Sequence, residues 1–531
     1  MTQSMPVAIA RRPGDRTPWL EGWPSMLTAF AVAGGLAIMA ICLGWRGSDL
    51  PAQVFRSDLV RRDGFVIWNS QWFGGHAFLP YSVLAPLAGA LTGPLALGAI
   101  SGVAAAVLFE RILHFAFGRV AWIGALWFAV GTATNLIVGR VTFAMGVALG
   151  LLAVYSLQRR RPTLAVVAAL LCSLSSPLAG AFLALATAAW ALATRDRRLL
   201  ALVMCATALA PIAVIALLFP NPGSEPYEVW ALIWDLSLCA VLAVAAWRYA
   251  SVRWAAGLYA IAIVGCYFVP SALGGNISRF GQYVAGPVLA CALLPRRRLV
   301  LAALAIPLVI WQFYPAIDGI AFARTDPSTR RSYYTPVLSY LEAQSGAIGR
   351  VEIPSTFRHW EAAYAAPHVM LARGWERQLD IAYSPIFYDE GALTASSYRQ
   401  WLDENGVRFV ALPDAQLDDS SLGERALLKQ GLPYLDPVWR DSHWQVWRVR
   451  DFHGLVASAN ATLTSLTSDG FVLQVRQPGD VTVRVHGTRH WRVHDAGCAA
   501  KTDDGWTVLR NVGVGTVRVS QSLAGTPCPT P

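Results

Sequence analysis

From Met26 to Tyr314 the chain is a succession of apolar runs of helical length, broken by short arginine clusters and by polar stretches rich in Gly, Pro and Asn. A bilayer core about 30 Å thick is crossed by about 20 largely apolar helical residues. The runs therefore predict a polytopic α-helical bundle, with spans at roughly 25–45, 95–113, 120–138, 141–157, 163–175, 178–194, 199–219, 228–247, 254–272, 280–294 and 299–315, about eleven in all. The fifth is short and meets the sixth at Ser175-Ser176-Pro177, the pattern of a broken or re-entrant pair. Of 531 residues, 55% are hydrophobic and 14% charged, against roughly 25% charged in average globular chains. A wholly soluble protein is excluded.

Charge divides the chain near residue 315. Residues 1–315 hold 22 Arg, no Lys and 10 acids, a net of +12, whereas residues 316–531 hold 19 Arg, 2 Lys and 23 acids, a net of −2. A basic surplus confined to an apolar half marks cytoplasmic loops beside anionic lipid, not a nucleic-acid partner. Arg11, Arg12 and Arg16 precede the first span. Arg111 and Arg119, Arg159–Arg161, Arg195 to Arg198, Arg248 and Arg253, and Arg296–Arg298 then fall in every second connection. The expectation is a cytoplasmic N-terminal segment (1–24), a membrane bundle (25–315) and an extracytoplasmic remainder. The long polar leader and the lack of a small-residue cleavage site make the first apolar segment a span, not a cleaved signal.

By the same parity the long connection 46–82 lies outside. It carries Asp49, Arg56, Asp58, Arg61, Arg62, Asp63, Trp68, Trp72, His76 after a Gly-Gly turn, and Tyr81. Residues around 50–62 fit a short amphipathic helix along the membrane surface, with Pro51 at its start and Asp49 at the lip of the bundle. Arg140 follows the third span, and Asn276 and Arg279 stand in Gly274-Gly275-Asn276-Ile277-Ser278-Arg279 after the ninth. Arginines at outer membrane ends run against the charge bias, and binding an anion is the most direct reason for them. The plainer alternative is that the aromatics anchor headgroups, that Asp58 and Asp63 pair with Arg61 or Arg62, and that His76 bonds within its loop.

These residues resemble a known group. An acid at the outer end of the first span, a long first loop with a short helix, about eleven spans and a C-terminal outer domain are together similar to the C-type (GT-C) integral-membrane glycosyltransferases. The Asp49…Gln53…Trp68…Trp72-Phe73-Gly74-Gly75 loop and the Gly274–Arg279 segment look most like uncharacterised actinobacterial members. The resemblance implies a bacterial plasma-membrane enzyme that transfers a sugar from a polyprenyl-phosphate donor to an extracytoplasmic glycan or glycolipid of the cell envelope. It makes Asp49 the catalytic base, with a divalent cation such as Mg or Mn near it. Many members carry paired acids there. This chain has Ser48-Asp49, a departure that bears on the metal.

Inverting transfer needs a carboxylate within reach of the acceptor hydroxyl and cations for the departing phosphate. Asp49 fits the first role, and Arg56, Arg61 or Arg279 the second. The expectation is that Arg279 and at least one of Arg56, Arg61 and Arg62 converge on one phosphate-binding cavity. Trp68, Trp72 and Tyr81 then stack on sugar or line a lipid entrance.

The tail alternates strand and helix over 316–455, the pattern of an α/β domain. Strands are expected at Arg350–Pro354, His368–Ala372, Val407–Leu412 and Trp444–Val449, and helices at Val337–Gln344, His359–Ala366 and Ser397–Glu404. Its polar-aromatic cluster around Trp375 and Glu376 suits contact with an acceptor sugar or domain docking. Residues 456–531 are short alternating runs parted by turn signals, the pattern of a small β-sandwich. Cys498 and Cys528, both in the tail, can form one disulfide. Two alternatives stand beside the transferase: a non-catalytic cell-envelope membrane protein and a transporter or flippase. A transporter would place ionisable residues near the midplane, where this sequence has little beyond Asp235.

Overall fold

Helices cover most of the apolar half in a computed structural model that describes residues 23–295, 297–321 and 325–529. Arg11, Arg12, Arg16 and Arg296 of the basic pattern lie outside the described residues. Helix α1 (Trp23–Cys42) leads into the long loop, which holds α2 (Leu50–Asp63), the two-residue strands β1 (Trp68–Asn69) and β2 (His76–Ala77), and α3 (Ala85–Thr92). The bundle continues with α4 (Pro94–Phe117), α5 (Ala121–Val138), α6 (Val141–Gln158), α7 (Pro162–Ser175), α8 (Pro177–Ala193) and α9 (Arg198–Leu218). It closes with α10 (Val229–Ala245), α11 (Ala250–Phe268), α12 (Arg279–Leu293) and α13 (Arg298–Ala321).

Six stretches among the described residues are long and apolar enough to cross a membrane by length and composition: Pro24–Cys42, Pro94–Val138, Val141–Gln158, Arg198–Leu218, Ala250–Phe268 and Arg298–Ile317. Three further apolar helices, Pro162–Ser175, Pro177–Ala193 and Val229–Ala245, are shorter. These helices are compatible with a multi-pass membrane protein, and large apolar side chains such as Ile38, Leu199, Ile261 and Leu299 are exposed on them. Helices approach most closely where small residues meet. Gly146 of α6 sits against Ala179 and Ser176, and Gly180 of α8 against Ser173, the packing expected when lipid removes the hydrophobic drive between helices.

Helix α2 differs from its expected form. It does not lie with one polar face to water, because most of it is buried, including Gln53, Arg56 and Ser57. Polar side chains survive burial when they find partners. Gln53 donates to the Tyr81 hydroxyl at 3.0 Å, and Arg56 pairs with Glu376.

The C-terminal half opens with α14 (Arg331–Glu342). Its sheet has the order β3-β4-β6-β5, built from β3 (Arg350–Glu352), β4 (Val407–Pro413), β5 (Leu435–Arg440) and β6 (Trp444–Val449). β3 runs parallel to β4, and the other pairs are antiparallel. Helices α15 (Glu361–Tyr364), α16 (Arg377–Tyr383), α17 (Ala395–Glu404) and α18 (Leu422–Gln430) surround it. The strand expected at His368–Ala372 is reduced to one bridge between Val351 and Leu371. The Leu371 N–H turns away from the sheet and donates to Gln71 of the long loop at 2.9 Å.

Two antiparallel sheets follow. One has the order β10-β13-β8-β7 and the other β11-β12-β9. Their strands are β7 (Ala461–Leu466), β8 (Gly470–Val475), β9 (Gly479–His486), β10 (Trp491–Val493), β11 (Cys498–Lys501), β12 (Trp506–Val512) and β13 (Gly515–Gln521). A disulfide joins Cys498 to Cys528. The sheets are docked, not tethered: Ser70 N–H donates to Ser468 O at 2.7 Å, and His486 N–H to Gly74 O at 2.8 Å.

Candidate functional site

A cavity of about 710 Å³ lies where one end of the bundle meets the C-terminal half. The exit of α1 supplies Asp49, the α11–α12 connection Asn276 and Arg279, and the long loop Tyr81. An apolar flank comes from Leu178, Ile212, Ile215 and Phe219, and the opposite wall from His359, Trp375, Glu376, Arg377 and Asp418.

Asp49 is positioned by its backbone. A helix ends with carbonyls that have no partner inside it, and those of α5 are taken by the exit of α1. Gly47 N–H donates to Ile137 O at 2.7 Å and Asp49 N–H to Val138 O at 2.9 Å. The C-terminal half holds the same turn from the other side. Arg358 donates to Arg46 O at 2.6 Å, and the Trp375 indole N–H to Ser48 O at 2.6 Å. Pro51 stands in the first turn of α2 and fixes its start directly after Asp49.

Two guanidinium groups converge on the Asp49 carboxylate, Arg140 at 3.5 Å and Arg279 at 3.7 Å. Two cations face one anion at this corner of the cavity, whose lining also carries Glu225, Glu376, Asp418, Arg358 and Arg377. Burial, followed by the repulsion of Arg279, pushes Arg140 down to about 10, with Asp49 opposing both. Arg279 is held at the start of α12 by the turn before it, in which Ser278 donates to Asp235 at 2.5 Å. Tyr227 donates to the same carboxylate at 2.6 Å, so the one acid within α10 anchors the arginine-bearing turn.

Arg56 does not enter the cavity. Its guanidinium is buried against Glu376 and lies 3.8 Å from the Tyr81 ring centroid. Burial raises Glu376, but Arg56 and then His76 outweigh it and hold the carboxyl below its ordinary value. Burial pushes the Tyr81 hydroxyl up, partly offset by Arg56.

Arg61 faces Asp58 at 2.6 Å and the Ala90 carbonyl at 3.0 Å, and Arg62 is exposed. The expected convergence of Arg279 with Arg56, Arg61 or Arg62 is therefore not found, and Arg140 meets Arg279 at Asp49 instead. Asp63 bonds Ser468 at 2.7 Å instead of a neighbouring arginine.

Trp68 and Trp72 line neither the cavity nor a lipid surface. They are buried where the long loop meets the C-terminal half, Trp68 against Trp491 and Trp72 stacked on Phe55 at 4.2 Å. His76 stacks on Trp72 with its Nε2 3.5 Å from Glu376. An aromatic side chain of this type fills an interface core as well as it stacks on sugar, so residue type alone does not separate the two uses.

The cavity also holds residues that the sequence pattern did not single out, among them His359, Asp418 and Glu225. His359 holds φ 55°, a left-handed conformation that costs a non-glycine residue about 1–3 kcal/mol and clusters at functional sites. Its ring nitrogens lie 3.4 Å from Glu361 and 3.7 Å from Asp418. Burial lowers this imidazole, but the two carboxylates outweigh it and hold it at about 9. The one signal for Glu225 is its place, an acid in the Asn221-Pro-Gly-Ser-Glu-Pro connection on the Asp49 side of the alternation.

Among the described residues no group of three or more His, Cys, Asp or Glu is placed to hold a metal ion. The Asp49 carboxylate faces two guanidinium groups, which does not fit a divalent cation bound there. No family model matches the chain, and no curated protein matches it.

Proposed function

We propose that the protein is a membrane glycosyltransferase that moves a sugar from a polyprenyl-phosphate donor to a glycan or glycolipid of the cell envelope. In this reading α1 and α4 to α13 cross the bilayer, the arginine-rich connections face the cytoplasm, and the cavity opens on the outer side. One observation carries it. Arg140 and Arg279 converge on a single carboxylate beside an apolar flank, a combination suited to an anionic headgroup on a lipid chain. Charge-assisted bonds from arginine favour phosphate, and the apolar flank of Ile212, Ile215 and Phe219 accommodates the first isoprene units. The opposite wall, with Trp375, His359 and Arg377, faces the acceptor. No step is assigned to a metal ion.

Binding of geranylgeranyl phosphate to the full-length protein in nanodiscs tests the reading. Hydrogen bonds to charged groups contribute about 1.5–3 kcal/mol, so Arg279→Ala and Arg140→Ala should each weaken binding by roughly 10- to 100-fold. Arg279→Lys should recover little, because lysine lacks the planar fork. Equal affinity in wild type and both alanine variants would exclude the phosphate site.

A further inference from the structure

The cavity holds a second carboxylate in a different situation from Asp49. Glu225 borders the cavity, and among the described residues its side chain makes no ion pair and no hydrogen bond. Asp49, by contrast, is occupied by Arg140 and Arg279.

Glu225 is also held in place. It stands on the connection between α9 and α10, where its N–H donates to Ser271 O at 3.0 Å and Gly275 N–H returns to Pro226 O at 3.2 Å. A Cβ on Gly274 would collide with the Glu225 carbonyl, and one on Gly223 with the Gln378 carbonyl. Both positions demand glycine, since the backbones meet there with φ 37° and 90°. Upstream, Asn221 bonds Ala77 through both amide atoms, each at 3.0 Å. The Glu225 segment is thus pinned against the α11–α12 turn, α16 and the long loop together.

Burial raises the Glu225 carboxyl above its ordinary value, opposed by Arg377 of α16 and Arg279 of α12 and reinforced by Asp49. Asp49 already faces two guanidinium groups and Glu225 is paired with none among the described residues, so the two carboxylates are available for different roles.

We propose that Glu225, not Asp49, accepts the proton of the acceptor hydroxyl, an assignment that rests on the glycosyl-transfer reading. The acceptor oxygen forms a bond to the anomeric carbon of the sugar, and its proton passes to the Glu225 carboxylate. The bond from the anomeric carbon to the phosphate oxygen breaks, and its electron pair leaves on the polyprenyl phosphate. Arg279 and Arg140 meet that developing charge. Asp49 keeps the two guanidinium groups converged and takes no proton.

Full-length protein in nanodiscs is assayed with geranylgeranyl-phosphate hexoses and pentoses against octyl glycosides. Glu225→Gln should lower kcat by about 10²–10⁴-fold, remove the acid limb of the kcat profile and bind geranylgeranyl phosphate as wild type does. Glu225→Asp keeps a proton acceptor and should lose less. Asp49→Asn should raise the donor KM and recover most of kcat at saturating donor. Glu228→Gln, on an exposed residue of the same connection, should match wild type. Near-normal kcat in Glu225→Gln, equal losses in the Gln and Asp variants, or an Asp49→Asn kcat still depressed at saturating donor would each overturn the assignment and leave the transferase reading standing. A wild-type protein that binds geranylgeranyl phosphate but transfers none of these sugars would overturn both.

Discussion

Arg56 and Glu376, 320 positions apart in the chain, form an ion pair that is buried on both sides and roofed by the Tyr81 ring. It fastens the long loop to the C-terminal half at the rim of the cavity. Burying either ion alone costs several kcal/mol, and their attraction offsets this only when the pair is complete.

Breaking the pair should therefore be costly. Arg56→Met or Glu376→Leu should each destabilise the protein by about 3–5 kcal/mol, and combining them should restore much of the loss. Unfolding in detergent, followed by tryptophan fluorescence, measures all three. Additive losses in the double variant would show that the two side chains act separately.

The His359 imidazole sets a second expectation, on the alkaline side. Its folded pKa of about 9 lies above the unfolded value of about 6.5. Its contribution to stability is fully present below about 6.5 and is lost as pH rises through about 9. The Tm should fall across that window, and Asp418→Asn should flatten the fall. A Tm slope between those pH values that Asp418→Asn leaves unchanged would assign the effect to other groups.

The Cys498–Cys528 bond encloses a separation of 30 residues, and closing a loop of that size stabilises by roughly 3–4 kcal/mol. Cys498→Ser should lower Tm accordingly. The same pair reports topology. On intact cells, an impermeant maleimide should label the tail cysteines only after reductant, and without permeabilisation. Labelling that requires permeabilisation would place the tail in the cytoplasm.

How far the sequence reached depended on the kind of signal. The apolar helices were legible because length and composition are local properties. Arg140 and Arg279 stood out because each sits where the charge bias disfavours it, and both meet at Asp49. Arg61 and Arg62 gave the same signal but lie exposed in the last turn of α2, since charge and position in the chain do not show where a side chain is placed. Trp68 and Trp72 were misplaced for a related reason: their partners Trp491 and the Ala362 carbonyl are fixed by how distant parts of the chain dock. Glu225 carried no local mark beyond its loop, and its importance rests on contacts with Ser271 and Gly274. The strand at His368–Ala372 failed because its edge belongs to Gln71.

The last module of the chain reaches back to the bundle. Arg489 donates to the carbonyls of Leu217 and Leu218 at 2.8 Å each, and a His490 ring nitrogen lies 2.9 Å from the latter. These bonds take up carbonyls at the end of α9, the helix whose final turns form the apolar flank, and Phe219 stacks on His490 at 4.6 Å. The order of biosynthesis gives this clamp its consequence. Asp49 leaves the ribosome early, but the wall opposite it, His359 to Asp418, and the clamp on α9, Arg489 and His490, are made hundreds of residues later. A chain cut before Arg489 keeps Arg140 and Arg279 at Asp49 but leaves the Leu217 and Leu218 carbonyls without these partners.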